Sequence, residues 1–225
     1  MYSHTISFRD DEASRTNNQR TFLIFGVNRG GTTATAGAIR RLGVFLGDDI
    51  GGNLEDKLFR KRLGLGSLRS TITHRNADHD VWGWKHPHPH QYIDDLLPDL
   101  RNPRLILVTR DLTANTLGVS SWDREKVDKA LSMYLTQTQK NADLIQRADC
   151  PVLLVSYEKL LIKPEFVLRD IAHFCGLKPS ASMIDHAVDF IQPGSYQPGE
   201  AQELSLKEKL RHRGSRIKRA IIRRQ

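Results

Sequence analysis

Residues 26–33 read Gly26-Val27-Asn28-Arg29-Gly30-Gly31-Thr32-Thr33. Glycines at 26 and 31 with a hydroxyl at 33 almost fit G-x-x-x-x-G-K-[ST], a loop whose backbone N–H groups cradle phosphates. Thr32 stands where that pattern has the lysine that reaches the β/γ-phosphates. This argues against ATP or GTP hydrolysis. It suits a ligand with fewer phosphates, held by backbone N–H groups from Asn28 to Thr33, two hydroxyls and Arg29. A glycine turn capped by Thr32 or Thr33 would read the same way. Arg110 ends an apolar run, and a charge there needs a partner. That partner is a ligand anion, the neighbouring Asp111 or another acid. Lys85, His86, His88 and His90 crowd six residues. Histidine suits removal of a proton from a hydroxyl near neutral pH, and His86, beside Lys85, is the first candidate base, with His88 next. The run His86-Pro87-His88-Pro89-His90 also raises metal binding. Its prolines favour an extended path that spreads the imidazoles, and no Cys or Glu nearby completes a ligand set, so no metal is expected. Tyr157 follows an apolar run, where a ring packs on a base or into the core.

The elements that must carry these residues are legible in outline. Residues 21–26 form a short apolar run ended by glycine, a buried strand. A helix is expected over 34–42. Strand, glycine loop and helix in that order make a phosphate-binding unit. Further strands are expected at 81–85, 104–109 and 152–156. Helices are expected at 91–97, 125–148, 164–175 and 180–190, the third with proline in its first turn. In the long helix, Leu131, Leu135, Ala142 and Ile145 lie near one face. Residues 43–80 lack strong periodicity and read as loops with a short helix near 55–63. Residues 1–20 read as a flexible polar lead-in. Strands alternating with helices imply an α/β fold of three layers, a central parallel sheet flanked by helices, over 21–200.

The chain has 225 residues, enough for one sizeable domain and short for two. Its apolar runs of four or five residues are far below the ~20 needed to span a membrane. The polar start lacks a signal core. The two cysteines have neither disulfide nor zinc spacing, so a reducing cytoplasm is the expected compartment. Short and unanchored, the chain suggests a bacterial enzyme. The net charge of +8 resides in the last 19 residues, where nine Lys/Arg meet one acid. The body is formally neutral, which argues against a nucleic-acid-binding domain. Leu206, Leu210, Ile217 and Ile221 are spaced for one helical face among those bases. Residues 201–225 are therefore expected as a basic amphipathic helix. It either packs on the body, docks on an anionic surface such as the inner membrane, binds a polyanionic acceptor, or contacts a partner or nucleic acid.

Three segments in order resemble the sulfotransferases that use 3′-phosphoadenosine 5′-phosphosulfate. Phe25–Thr33 is similar to their 5′-phosphosulfate loop. Leu105-Ile106-Leu107-Val108-Thr109-Arg110-Asp111 is similar to their strand ending in Arg-Asp, whose arginine grips the 3′-phosphate. Val155-Ser156-Tyr157-Glu158-Lys159-Leu160-Leu161, continued by Pro164 and by Ile171-Ala172-His173-Phe174-Cys175-Gly176-Leu177, is similar to their third motif. Trp82-Gly83-Trp84-Lys85-His86-Pro87 resembles a segment lining the acceptor site. The resemblance implies a P-loop-like fold. It also implies sulfuryl transfer to a hydroxyl of a carbohydrate, glycolipid or small molecule, with no metal. Arg29 would then act electrostatically at the leaving oxygen, Lys85 would assist it there or contact the acceptor, and a histidine or glutamate would take the proton. One departure stands out. The family places a serine eight residues after its 3′-phosphate arginine, and here that position is Gly118. Ser120 is the nearest substitute candidate. A P-loop small-molecule kinase, or a catalytically inactive nucleotide- or polyanion-binding protein of the same fold, are the alternatives.

Overall fold

The computed structural model describes residues 4–191. The expected 192–199 linker and the basic helix lie outside the described residues. In chain order the elements are β1 (Ile6–Phe8), α1 (Glu12–Thr16), β2 (Arg20–Gly26), α2 (Thr32–Arg41), α3 (Gly64–Asp78), β3 (Val81–Lys85), α4 (Ile93–Leu96) and β4 (Pro103–Thr109). There follow α5 (Leu112–Asp123), α6 (Val127–Arg147), β5 (Val152–Ser156), α7 (Tyr157–Ile162), α8 (Pro164–Phe174) and α9 (Ala181–Phe190).

The sheet order is β1-β5-β4-β2-β3. β2 pairs in parallel with β3 and β4, and β4 with β5. Side chains alternate between the faces of a strand, so each strand feeds two cores. Phe22, Ile24, Ile106, Val108, Leu153 and Val155 meet α2, α8 and α9 on one face. Leu23, Phe25, Leu105 and Leu107 meet Trp82, Trp84, Ile72 of α3 and Leu144 of α6 on the other. The layers are helices, sheet, helices, as the strand–helix alternation predicts.

Three expectations change. Residues 4–19 are ordered onto the fold rather than a loose lead-in: β1 adds an antiparallel edge to β5, and Asp10 pairs with Arg15 and with the fully buried Arg104. A buried arginine needs such an anion, and the chain's own start supplies it. Residues 64–78 form a full helix, preceded by two short 3-10 turns at Lys57–Phe59 and Lys61–Leu63. Two exposed-face glycines, Gly64 and Gly66, mask its helical signal. The buried face of α6 carries Ala130, Gln137, Asn141 and Leu144, whereas Leu135 is 54% exposed. Among the described residues no helix is long and apolar enough to cross a membrane.

Candidate active site

In an open parallel sheet, ligands bind beyond the carboxyl ends of the strands, where the strand order reverses. Here β3 and β4 leave β2 on opposite sides, and the loop after β2 sits at that reversal. A cavity of about 540 Å³ opens there. Asn28, Arg29, Gly31, Thr32 and Thr33 line one wall. Arg110, Gly118, Asp123 and Tyr157 line another, and Asn53, Glu55, Lys85 and Pro87 a third.

The phosphate loop is built by close approach. A Cβ on Gly26 would lie 2.4 Å from the Val108 carbonyl oxygen, and one on Gly31 would lie 2.2 Å from the Tyr157 ring. Gly31 also has φ +88° as the N-cap of α2, a conformation open to glycine. No side chain caps α2, so neither Thr32 nor Thr33 serves as the cap. The Gly30 N–H donates to the Val27 carbonyl at 3.0 Å. Gly30 lies outside the cavity lining and shapes the turn. The amino end of α2 points its dipole at the cavity, a natural seat for an anion.

Arg29 sits in the left-handed region at φ +59°, and its guanidinium pairs with Asp123 at 2.7 Å. Arg110 donates from Nη1 to the Arg29 carbonyl at 2.6 Å and lies 5.3 Å over the Tyr157 ring. Its Nε is buried without a hydrogen-bond partner. Asp111 does not pair with it: that carboxylate caps α5 through the Ala114 N–H at 2.8 Å. A Cβ at position 118 would stand in van der Waals contact with Arg110, 3.5 Å from Nη1. Ser120 lies two residues further along α5, on the opposite side of a 100°-per-residue helix, and does not line the cavity. Tyr157 starts α7 with its ring between Gly31 and Arg110.

Lys85 is 3% exposed. Its Nζ donates to the Asn53 carbonyl at 3.1 Å and to Glu55 Oε1 at 3.0 Å. Burial pushes its pKa down, and the Glu55 carboxylate opposes part of that fall. The Asn53 carbonyl also accepts from Thr33 Oγ1 at 3.1 Å, so the segment carrying Glu55 is tied to both α2 and Lys85. Sequence reasoning missed Glu55, because 43–80 has no readable pattern.

His86 and His88 do not line the cavity. Lys85 and Pro87 do. The His86 Nδ1 accepts the His88 N–H at 3.1 Å. Burial lowers both pKa values, that of His86 to about 4. Among the described residues no group of three or more His, Cys, Asp or Glu is placed to hold a metal ion.

The fold is shared with solved sulfotransferases. The sulfotransferase domain from the Synechococcus PCC 7002 olefin synthase superposes with TM-score 0.58 at 16% identity, covering 85% of this chain and 84% of that one. Mouse sulfotransferase SULT7A1, complexed with PAP, gives 0.53 at 14% identity, covering 82% and 70%. Sulfotransferase STF1 from Mycobacterium tuberculosis H37Rv gives 0.50 at 12%, covering 86% and 77%. No curated protein matches the chain significantly. A family model described as "Sulfotransferase family" matches residues 52–180, more than half of the chain. Those residues carry Glu55, Lys85, Arg110 and Tyr157, and on that match the chain belongs to the sulfotransferase family.

Proposed function

We propose that the protein transfers a sulfuryl group from 3′-phosphoadenosine 5′-phosphosulfate to an acceptor hydroxyl. The observation that carries this reading is one cavity lined by a phosphate loop, by Arg110 with its buried Nε unpartnered, and by the Lys85–Glu55 pair. The fit to the donor is chemical. The loop and the amino end of α2 offer N–H groups to the 5′-phosphosulfate. The Arg110 guanidinium suits the 3′-phosphate. The Tyr157 ring, fixed by Gly31 and Arg110, gives the adenine a face.

In the transfer, the acceptor oxygen forms a bond to sulfur while the bond from sulfur to the bridging phosphate oxygen breaks. The electron pair stays on that bridging oxygen, where Lys85 and the loop N–H groups stabilise it. The acceptor proton goes to Glu55, the one carboxylate beside Lys85 in the cavity wall. Glu55 replaces His86 and His88 in this role. Arg29 starts from its pair with Asp123 and exchanges that carboxylate for the donor's anion. A carbohydrate, glycolipid or small-molecule acceptor enters past Asn53 and Pro87.

The test is calorimetry with 3′-phosphoadenosine 5′-phosphate against adenosine 5′-phosphate and ATP, without added metal. Charge-assisted bonds to one phosphate are worth about 1.5–3 kcal/mol. The 3′-phosphorylated nucleotide should therefore bind ~10- to 100-fold tighter than its unphosphorylated counterpart. Arg110→Ala should erase the difference. Equal affinities in the wild type, or binding only of ATP with magnesium, overturn the reading.

A further inference from the structure

The Asn28 peptide, inside the phosphate loop, is held from outside at both ends. Its N–H donates to Gln137 Oε1 at 3.0 Å, and its carbonyl accepts from Asn115 Nδ2 at 2.7 Å. Gln137 Nε2 also donates to the Gly26 carbonyl at 3.1 Å and the Pro87 carbonyl at 2.8 Å. The same nitrogen stands 3.1 Å from His88 Nδ1. Gln137 is 8% exposed and Asn115 is 1% exposed. A single buried amide on α6 thus joins the end of β2, the loop, and the segment after β3 that follows Lys85.

This arrangement meets a need. Arg29, next to Asn28, is a non-glycine residue at φ +59°. Such a conformation persists where its surroundings hold it. Asn28, the residue before Arg29, is held at its N–H by Gln137 and at its carbonyl by Asn115, and Arg29's own carbonyl is held by Arg110. An amide suits the place because it presents an acceptor to an N–H and donors to two carbonyls at once. A carboxylate would set oxygen against oxygen, and an apolar side chain would leave buried peptide groups unmatched.

We propose that Gln137 is a positioning residue of the donor site. It fixes the phosphate loop against the Lys85 segment, so that the loop N–H groups and the lysine act on the same anion. It touches no reacting atom and acts through Asn28, Gly26 and Pro87. The inference rests on the proposed function for the identity of that anion. Its effect on the loop does not, and is measurable without any ligand.

The experiment is amide hydrogen exchange on the full chain, with 3′-phosphoadenosine 5′-phosphate as the binding probe. In the ligand-free wild type, the Asn28 N–H should be protected ~100-fold over an open chain. In Gln137→Met, which fills the same space without donors or acceptor, protection over 26–33 should fall ~10-fold or more. Peptides from β4 and α8 should not change. Loss of two or three such bonds should weaken probe binding ~10- to 100-fold, while KM for the acceptor stays put. An unprotected Asn28 N–H in the wild type overturns the proposal even if Gln137→Met does not fold. So does a folded Gln137→Met with wild-type loop exchange. A wild type that fails to bind the probe, yet shows the Gln137-dependent exchange, removes the donor reading and leaves Gln137 as the residue that sets the loop.

Discussion

Lys85 and Glu55 are a buried cation and the carboxylate that makes its burial tolerable. Desolvation pulls the lysine pKa below its ordinary 10.5, and Glu55 holds it up. Removing that charge must lower the lysine further. Glu55→Gln should therefore do two things. It should cut kcat ~100-fold or more by removing the proposed proton acceptor, and it should move the alkaline limb of the kcat/KM profile to lower pH. A full pH–rate profile checks both. An unshifted alkaline limb would mean that Lys85 does not titrate in it. Neither residue's role is visible alone in the sequence. Lys85 was singled out by its neighbours in Trp84-Lys85-His86, whereas Glu55 lies in a segment whose glycines and scattered charges carry no period. The histidines beside Lys85 lie outside the cavity lining. Residue type says what chemistry a side chain can do, but not which residues the fold brings to one wall.

Among the elements, the loop before α2 was the most legible, because its glycines answer to steric demands that sequence spacing preserves. Gly31 combines φ +88° with an approach to Tyr157 that no Cβ survives. Gly31→Ala should cost about 1–2 kcal/mol for the left-handed backbone, plus whatever is needed to move the ring. The urea midpoint should fall and nucleotide binding with it. An unchanged midpoint would show that the turn has another conformation available. α6 was read less well. Its apolar spacing pointed to Leu131 and Leu135, yet the face that packs inward holds Gln137 and Asn141 beside Ala130 and Leu144. Polar residues inside a helix face read as solvent-exposed until something shows which backbone groups they satisfy. In α6 the groups that Gln137 satisfies belong to the end of β2, the loop after it and the segment after β3.

The whole molecule should be acid-sensitive below the ordinary histidine range. Burial holds the His86 pKa at about 4 against 6.5 in an unfolded chain. Between those values the unfolded chain binds more protons, so stability is full above pH 6.5 and falls as pH drops toward 4. The loss from this residue is on the order of 3 kcal/mol, and His88 is shifted the same way. Urea unfolding at pH 7, 5.5 and 4.5 checks it; a midpoint flat across that range contradicts it. The chain's start belongs to the same body, with β1 on the sheet edge and Asp10 on the buried Arg104. By itself, the sequence determined the α/β alternation, four of the five strands and the glycine turn between β2 and α2, because periodicity and glycine spacing are local properties of the chain. Only the tertiary structure decided that Glu55 stands beside Lys85, that His86 and His88 lie outside the cavity lining, and that Gln137 bonds to the loop after β2. Those are contacts between residues far apart in sequence, and they arise where strand ends and helices meet, with no local pattern to announce them.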